Sequence, residues 1–321
     1  MSPNLGKITF TETELADLRS EAMAYIERHA WTKKRFAEEC GVPEGTFGPW
    51  LSGSYAGNND GPASKVHRFL EAKREQAQLA AAIPATAPFQ NTPTSKRVLA
   101  VLDHAQVFED LVVIGLRPGL GKTASIRQFQ ATRPRTWVAT MAPSTRGVPN
   151  ALVEVLAAMG DHDAKGTPQA LSRRVQAKAT PGSVLVIDEA QHLSQQAVDE
   201  FRSIHDRTGC GLAFSGDESV FSLFDGVRRQ AFAQFHSRIG MRLRQSRPLV
   251  GDAQMIAAAY DVTAPAMVKL CAEIANKPGA LRGLTKTLRL AKRAAALADE
   301  PLTTTLIREA WAQRSDDIAV A

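Results

Sequence analysis

Apolar residues in the central part of the chain occur in short continuous runs that alternate with stretches of helical spacing. Four runs are typical of buried strands: LVVIG at 111–115, TWVATM at 136–141, SVLVID at 183–188 and GLAFSG at 211–216. Helices are predicted near 96–106, from Lys122 onward, and at 150–159, 168–179 and 195–207. Apolar strands that alternate with helices indicate a parallel sheet covered on both faces. We therefore predict an α/β core at about 96–248 and a small helical lid at 249–321.

The first part of the chain has helical spacing only. Thr32 is placed to cap a short helix, and Gly41 can supply the left-handed backbone of a tight turn. A second short helix is predicted to follow Pro43 and to bury Phe47 and Leu51. Because two short helices around a glycine turn are typical of a helix-turn-helix, we predict an all-α helix-turn-helix domain at 1–82.

The second helix of this pattern is expected to offer Glu44, Thr46, Phe47 and Trp50 near its start. That set lacks Arg, Lys, Asn and Gln, which read base edges best. The following loop, SGSYAGNNDG at 52–61, could contact backbone phosphate instead. We predict DNA contact with little sequence reading, and a helical bundle with no nucleic-acid role is the alternative.

A proline-rich stretch separates this domain from the rest of the chain. A third helix is predicted at 65–75, and residues 76–95 then carry no charged side chain but contain Pro84, Pro88 and Pro93. Proline interrupts helices and favours extended chain, so a linker is predicted at 83–95.

Composition narrows the class of protein only modestly. The 321 residues carry a formal net charge of +6, which hints at a polyanionic partner. Cys40, Cys210 and Cys271 are few and dispersed, which argues against a disulfide framework and a Cys-rich zinc site. No apolar run approaches the roughly 18 residues of a membrane span, so we expect a soluble cytoplasmic protein without a membrane partner.

The stretch IGLRPGLGKT at 114–123 contains the end of a phosphate-binding loop between a predicted strand and a predicted helix. The usual pattern begins with glycine at position 116, where this chain has Leu116 one step after Gly115. The loop can still turn backbone N–H groups towards ATP phosphates, and a lysine and a hydroxyl follow for the terminal phosphates and Mg²⁺. The predicted nucleotide-binding residues are Gly119, Leu120, Gly121, Lys122, Thr123 and Ala124.

Carboxylates close the next buried strands. Asp188 is predicted to hold Mg²⁺ together with Thr123, and Glu189 to activate the attacking water. Ser215 and Asp217 end the following strand, and Asp217 is expected to sense the γ-phosphate. A strand-ending turn is the alternative for the last pair.

Two arginines complete the predicted catalytic set. Arg238 in FHSRIG is predicted to reach the γ-phosphate of a neighbouring subunit, with Arg228, Arg229 and Arg242 as competitors. Arg282, at the start of a lid helix, is predicted to fold back on the nucleotide. For each arginine, a solvated or ion-paired side chain is the alternative.

Together these motifs resemble the AAA+ ATPases and, within them, the phage Mu B family of transposition proteins. The resemblance covers nearly the whole chain and is strongest in TFGPWLSGSYAGNND, PGLGKT, VLVIDEAQHL, FHSRIG and KPGALRGLTKTLRLA. It implies an AAA+ P-loop core with a helical C-terminal lid and an N-terminal helix-turn-helix domain. It also implies that the protein is located in the cytoplasm of the bacterium that hosts a phage or prophage.

The resemblance implies an ATPase that assembles on double-stranded DNA as a helical filament with little sequence preference. Such a protein selects target DNA, activates a transposase and is released when the transposase stimulates hydrolysis. Its partners would be DNA, the transposase and further copies of itself. Basic residues of the ATPase domain would face the DNA, and the candidates here are Arg146, Arg173, Arg174, Arg242, Arg244 and Arg247.

One departure and several alternatives accompany this interpretation. Asp217 replaces the usual asparagine, and a carboxylate near γ-phosphate predicts slow hydrolysis. A helicase loader or an insertion-sequence helper ATPase would share the core. An ATP-responsive transcription regulator would need a base-reading helix. DEAQH at 188–192 is similar to superfamily-two helicases, but too little chain follows for their second ATPase-like domain.

Overall fold

The computed structural model describes residues 9–81, 87–224 and 239–315. The chain divides into two compact units, Met1–Pro84 and Ala85–Ala321. The three-domain division made from the sequence stays a prediction. None of the helices in the described ranges is both long enough and apolar enough to cross a membrane.

The N-terminal unit is a helical bundle around an aromatic core. Its helices are α1 (Glu12–Arg28), α2 (Lys33–Cys40), α3 (Glu44–Leu51) and α4 (Asp60–Ala81). Thr32 Oγ1 caps α2 by accepting a hydrogen bond from the backbone N–H of Arg35 at 3.1 Å. Gly41 ends α2 in the left-handed region at φ +68°. The helix predicted at 65–75 is longer in the structure, because Pro62 lies in its first turn, where proline is tolerated, and no further proline occurs before position 84.

Helix α3 presents a different surface from the one predicted. Phe47 and Trp50 lie in the core of the unit, with relative exposures of 1% and 0%, so they are not available to a partner. Glu44, Gly45 and Gly48 are the exposed positions of this helix. The predicted burial of Phe47 and Leu51 is confirmed. The expectation that the helix also offers Phe47 and Trp50 to a partner was wrong, because the helical period turns both inward.

The loop after α3 is held by its own side chains. Asn59 donates from Nδ2 to the carbonyls of Tyr55 and Gly57, and its Oδ1 accepts from Arg19 at 3.1 Å. Asp60 Oδ1 accepts from the backbone N–H of Phe10 at 3.0 Å. These polar groups therefore stabilise the loop itself.

The second unit contains a five-stranded parallel sheet in the order β2-β3-β4-β1-β5. The strands are β1 (Leu111–Leu116), β2 (Thr136–Thr140), β3 (Val184–Asp188), β4 (Gly211–Gly216) and β5 (Ile239–Gln245). The first four match the predicted apolar runs. The edge strand β5 was not predicted, because only Leu243 and Gln245 among its residues are buried and its arginines give it a polar pattern.

Helices cover both faces of the sheet. They are α5 (Pro93–Val107), α6 (Lys122–Thr132), α7 (Val148–Ala158), α8 (Pro168–Lys178) and α9 (Gln195–Thr208). Buried side chains of α5 and α6 pack on one face, and those of α7, α8 and α9 pack on the other. Since all strands are parallel, their carboxyl ends meet at one edge, which is where ligands bind in open α/β sheets.

Four C-terminal helices form a second apolar core in the same unit. They are α10 (Asp252–Ala258), α11 (Pro265–Ala275), α12 (Ala280–Ala298) and α13 (Thr304–Ser315). The prediction of helices alone in this region agrees with the described residues up to Ser315.

A buried polar network joins these helices to the sheet. Asp252, at the start of α10, accepts hydrogen bonds from Thr94 N and Oγ1 at 2.8 and 2.5 Å and from Leu249 N at 2.6 Å. Gln245, at the end of β5, donates from Nε2 to Thr94 Oγ1 at 2.7 Å. Its carbonyl accepts from Arg117 N at 3.0 Å. The network therefore ties α5, α10 and β5 to the loop that follows β1.

Candidate functional site

The loop between β1 and α6 has the backbone of a phosphate-binding loop. Gly119 and Gly121 lie in the left-handed region at φ +92° and +91°, where a side chain is strained. Leu120 between them is buried, and α6 begins directly at Lys122. The usual pattern has glycine at position 116, where this chain has Leu116. This residue still belongs to β1, and its side chain is buried in the core beside the sheet. The turn itself therefore starts only at Arg117.

Lys122 and Asp188 form an ion pair at the sheet edge. Lys122 Nζ lies 3.1 Å from Asp188 Oδ1, and the two side chains are 10% and 2% exposed. Asp188 Oδ1 also accepts from Ser215 Oγ at 3.1 Å, and Oδ2 accepts from Thr123 Oγ1 at 3.2 Å. The structure thus brings together the residues predicted for phosphate and Mg²⁺ binding.

Glu189 lies beside this pair and differs from Asp188 in its exposure. Its backbone is left-handed at φ +53°, and its side chain is 37% exposed. The carboxylate is 3.2 Å from Lys122 Nζ through Oε1 and accepts from Gln191 Nε2 at 2.7 Å through Oε2. Burial raises the pKa of Glu189, but the hydrogen bond from Gln191 and the charge of Lys122 outweigh it, so the pKa is lowered. A lowered pKa favours the carboxylate form, whose two oxygens contact Lys122 and Gln191.

The end of β4 contributes two polar residues with different environments. Ser215 is fully buried and donates to Asp188. Asp217 lines a cavity of about 220 Å³ together with Lys122, Glu189 and Arg282. Its Oδ1 accepts from Ser219 N at 2.8 Å and Ser219 Oγ at 2.5 Å. Asp217 is therefore close to the predicted site and also caps the turn that follows β4.

The lid helix α12 begins against the phosphate-binding loop. Arg282 N donates to the carbonyl of Gly119 at 3.0 Å, and the Arg282 side chain lines the same small cavity. A Cβ atom at Gly119 would lie 2.3 Å from the carbonyl oxygen of Gly279, just before α12. Glycine at position 119 thus permits backbone-to-backbone contact between the loop and the lid.

A larger cavity of about 440 Å³ adjoins this site and was not predicted from the sequence. It extends from Gly121, Thr123 and Ala124 to the segment before α5 and to the lid. The additional lining side chains include Phe89, Gln90, Ile256, Tyr260, Thr285, Lys286 and Arg289. Tyr260 Oη also accepts from Ala87 N at 3.4 Å. The prolines near position 88 predicted a linker, whereas Phe89 in that stretch was the available signal of a packed segment.

The arginines predicted to contact DNA lie in several environments. Arg146 and Arg173 are exposed, whereas Arg174 forms an ion pair with Asp161. Arg242 and Arg244 extend from the same face of β5, where Arg244 stacks over the ring of Phe221 at 4.3 Å. Arg247 is exposed beyond the strand. Arg238 and its competitors Arg228 and Arg229 lie outside the described residues.

Comparisons with known proteins agree with this geometry. Residues 110–224 match the AAA domain family, and residues 237–313 match the family described as Mu B transposition protein, C terminal. The ATP-dependent target DNA activator B of Escherichia phage Mu is 31% identical over 310 residues, which cover 96% of this chain and 98% of the relative. The chain belongs to the Mu B family of transposition proteins. The Mu-like prophage FluMu DNA transposition protein B of Haemophilus influenzae is another Mu B relative, with 30% identity over 80% of this chain and 90% of its own length.

Solved structures show a more distant similarity to this Mu B-family chain. A RuvB variant from Thermotoga maritima gives a TM-score of 0.44 at 18% identity, over 68% of this chain and 67% of that chain. The replication initiator DnaA bound to AMPPCP and single-stranded DNA gives 0.42 at 15% identity, over 67% and 66%.

The residues of the site fit ATP and Mg²⁺ in their chemistry. A glycine turn that leads into the start of α6 would offer backbone N–H groups to a phosphate, and Lys122 would supply a positive charge. Thr123 Oγ1 and Asp188 Oδ2 lie 3.2 Å apart, and this hydroxyl and carboxylate are oxygen ligands of the kind that would hold Mg²⁺. When bound, the metal would neutralise charge on the phosphates.

The contact between the loop and the lid can be tested in the nucleotide-free protein. Gly119→Ala and Gly121→Ala impose the same left-handed strain, about 1–3 kcal/mol each. Only the Cβ of the first would meet lid backbone, whereas among the described residues nothing lies within 4 Å of the second. We expect urea denaturation to show a free energy of unfolding for Gly119→Ala that is at least about 1 kcal/mol lower than that for Gly121→Ala. Equal losses in the two variants would show that the close contact is absent in solution.

Proposed function

We propose that this chain is an ATP-dependent activator of DNA transposition that hydrolyses ATP slowly. The observation that carries the proposal is the cluster of Lys122, Thr123, Asp188 and Glu189 at one sheet edge of a Mu B-family chain. A cation, a hydroxyl, a buried carboxylate and a more exposed carboxylate are the groups that phosphoryl transfer to water requires. The relative from phage Mu is named an ATP-dependent target DNA activator, which supports the same function.

In this proposal each residue has one task. Lys122 holds the terminal phosphates, Thr123 and Asp188 hold Mg²⁺, and Glu189 orients and deprotonates the attacking water. Arg282 contacts the nucleotide from the lid. Arg238 reaches a neighbouring subunit, which would make hydrolysis depend on assembly.

The proposed function includes assembly on DNA. We propose that ATP-bound subunits assemble on duplex DNA as a helical filament with little sequence preference and pass that DNA to a transposase. The exposed Arg146 and Arg173 and the two arginines on one face of β5 support contact with phosphates. The exposed face of α3, with Glu44 and two glycines, offers little for reading bases. Slow hydrolysis would keep the filament on DNA until the transposase stimulates release.

Electron microscopy with non-specific duplex DNA tests this function directly. We expect continuous filaments with ATP or a slowly hydrolysed analogue and none with ADP or without nucleotide. Lys122→Ala should form none under the same salt conditions, because the phosphates lose their main cation. Glu189→Gln should form filaments that persist after ATP is added, because binding survives while water activation is lost.

Three results would contradict the proposal. Closed rings would favour a helicase loader, and protein confined to one DNA sequence would favour a transcription regulator. If Lys122→Ala bound DNA as tightly as the parent in ATP, nucleotide gating itself would be wrong.

Salt dependence distinguishes the arginines proposed to contact DNA. Arg146 is exposed, whereas Arg174 on α8 is paired with Asp161. We expect Arg146→Ala to weaken non-specific DNA binding. The negative slope of log K against log salt concentration should become less steep by about one. Arg174→Ala should leave that slope nearly unchanged and serves as the matched control. Fluorescence anisotropy over a salt series gives both slopes, and identical slopes for Arg146→Ala and the parent would remove Arg146 from the interface.

A further inference from the structure

Gln191 is a polar side chain at the sheet edge that the proposed mechanism does not yet use. It lies in the short 3₁₀ turn Ala190–His192 that follows Glu189. It is absent from the lining of both cavities described above. Its Nε2 nevertheless donates to Glu189 Oε2 at 2.7 Å, the shorter of the two side-chain contacts described for that carboxylate.

The amide of Gln191 has one orientation that the site allows. If the amide were turned over, its oxygen would face a carboxylate oxygen at the same short distance, and the two would repel. The observed orientation places Oε1 in a buried position where no residue in the described part of the chain donates to it. A buried acceptor without a donor is unfavourable for folding, so this arrangement is not explained by stability.

The end of β4 makes room for this side chain. A Cβ atom at Gly216 would lie 2.3 Å from Gln191 Oε1 and 3.0 Å from Val220 Cβ. Any larger residue at position 216 would therefore displace the Gln191 amide. Glycine here keeps the amide between β4 and the carboxylate of Glu189.

We propose that Gln191 is a positioning residue that aims the carboxylate of Glu189 at the attacking water, and that Gly216 maintains this contact by leaving space for the amide. Lys122 holds Oε1 of the same carboxylate and Gln191 holds Oε2, so the plane of the carboxylate is defined from two sides. Other charged groups around Glu189 are Asp188 next to it and the residues that line the same small cavity, namely Arg117, Asp217 and Arg282. The inference rests on the proposed hydrolysis of ATP by this site.

Two substitutions that conserve size separate positioning from packing. Gln191→Met removes the donor, and Gln191→Glu replaces it with a carboxylate facing Glu189. We expect both to lower kcat for ATP hydrolysis by about tenfold, a part of the usual contribution of a general base. KM for ATP should stay within about twofold, since Gln191 does not line the nucleotide cavities. Gln195→Ala, an exposed residue on α9, is the control and should match the parent.

Gly216→Ala tests the second half of the inference through a double-mutant cycle. Alone it should lower kcat, because its methyl group displaces the Gln191 amide. In the Gln191→Met background it should have little further effect, since the contact has already been lost. Independent effects of the two substitutions would overturn the role of Gly216.

Unfolding of the nucleotide-free protein supplies a readout that does not depend on activity. Gln191→Met removes a buried oxygen without a donor, so we expect it to unfold at the same or a higher urea concentration than the parent. A fall in kcat that only parallels a loss of stability would mean a structural role. A kcat equal to that of the parent would overturn the positioning role, whereas a parent protein without any ATP hydrolysis would overturn the proposed function itself.

Discussion

The ion pair between Lys122 and Asp188 is the interaction on which the candidate site depends. Burying two charges costs several kcal/mol per ion, and attraction between them compensates only when further hydrogen bonds satisfy both. Asp188 meets this condition because it also accepts from Ser215, Thr123 and the backbone of Glu189. One carboxylate therefore connects the ends of β3 and β4 with the start of α6, and it fixes where a phosphate could lie.

A second buried carboxylate extends this arrangement to the lid. Asp252 receives three hydrogen bonds, and through Thr94 it is linked to Gln245, whose carbonyl holds the start of the phosphate-binding loop. The lid also contacts that loop directly at Gly119. Because both connections reach the loop, a movement of the lid would also displace the phosphate-binding loop and the end of β5. This strand follows Arg238, the arginine proposed to act on a neighbouring subunit.

The sequence predicted four of the five strands, and it predicted a group of residues that the structure brings together at the sheet edge. Fully buried parallel strands must be continuously apolar, and a carboxylate at the end of such a strand is conspicuous, as with Asp188. Edge strand β5 was not predicted because one of its faces is exposed and carries Arg242 and Arg244. The sequence did not predict the cavity near Phe89 and Tyr260, because its lining residues meet only through tertiary packing. Gln191 escaped for the same reason, since its role depends on Gly216 in another strand.

The balance of charge in the small cavity bears on the form of nucleotide that it favours. Its lining contains three cations, Arg117, Lys122 and Arg282, and two carboxylates, Glu189 and Asp217. Asp217 accepts hydrogen bonds from Ser219 N and Oγ, and its negative charge opposes part of the net lowering of the Glu189 pKa. A triphosphate brings more negative charge than this small excess of cations can neutralise. In the proposed function, a metal ion held by Thr123 and Asp188 would supply the missing positive charge.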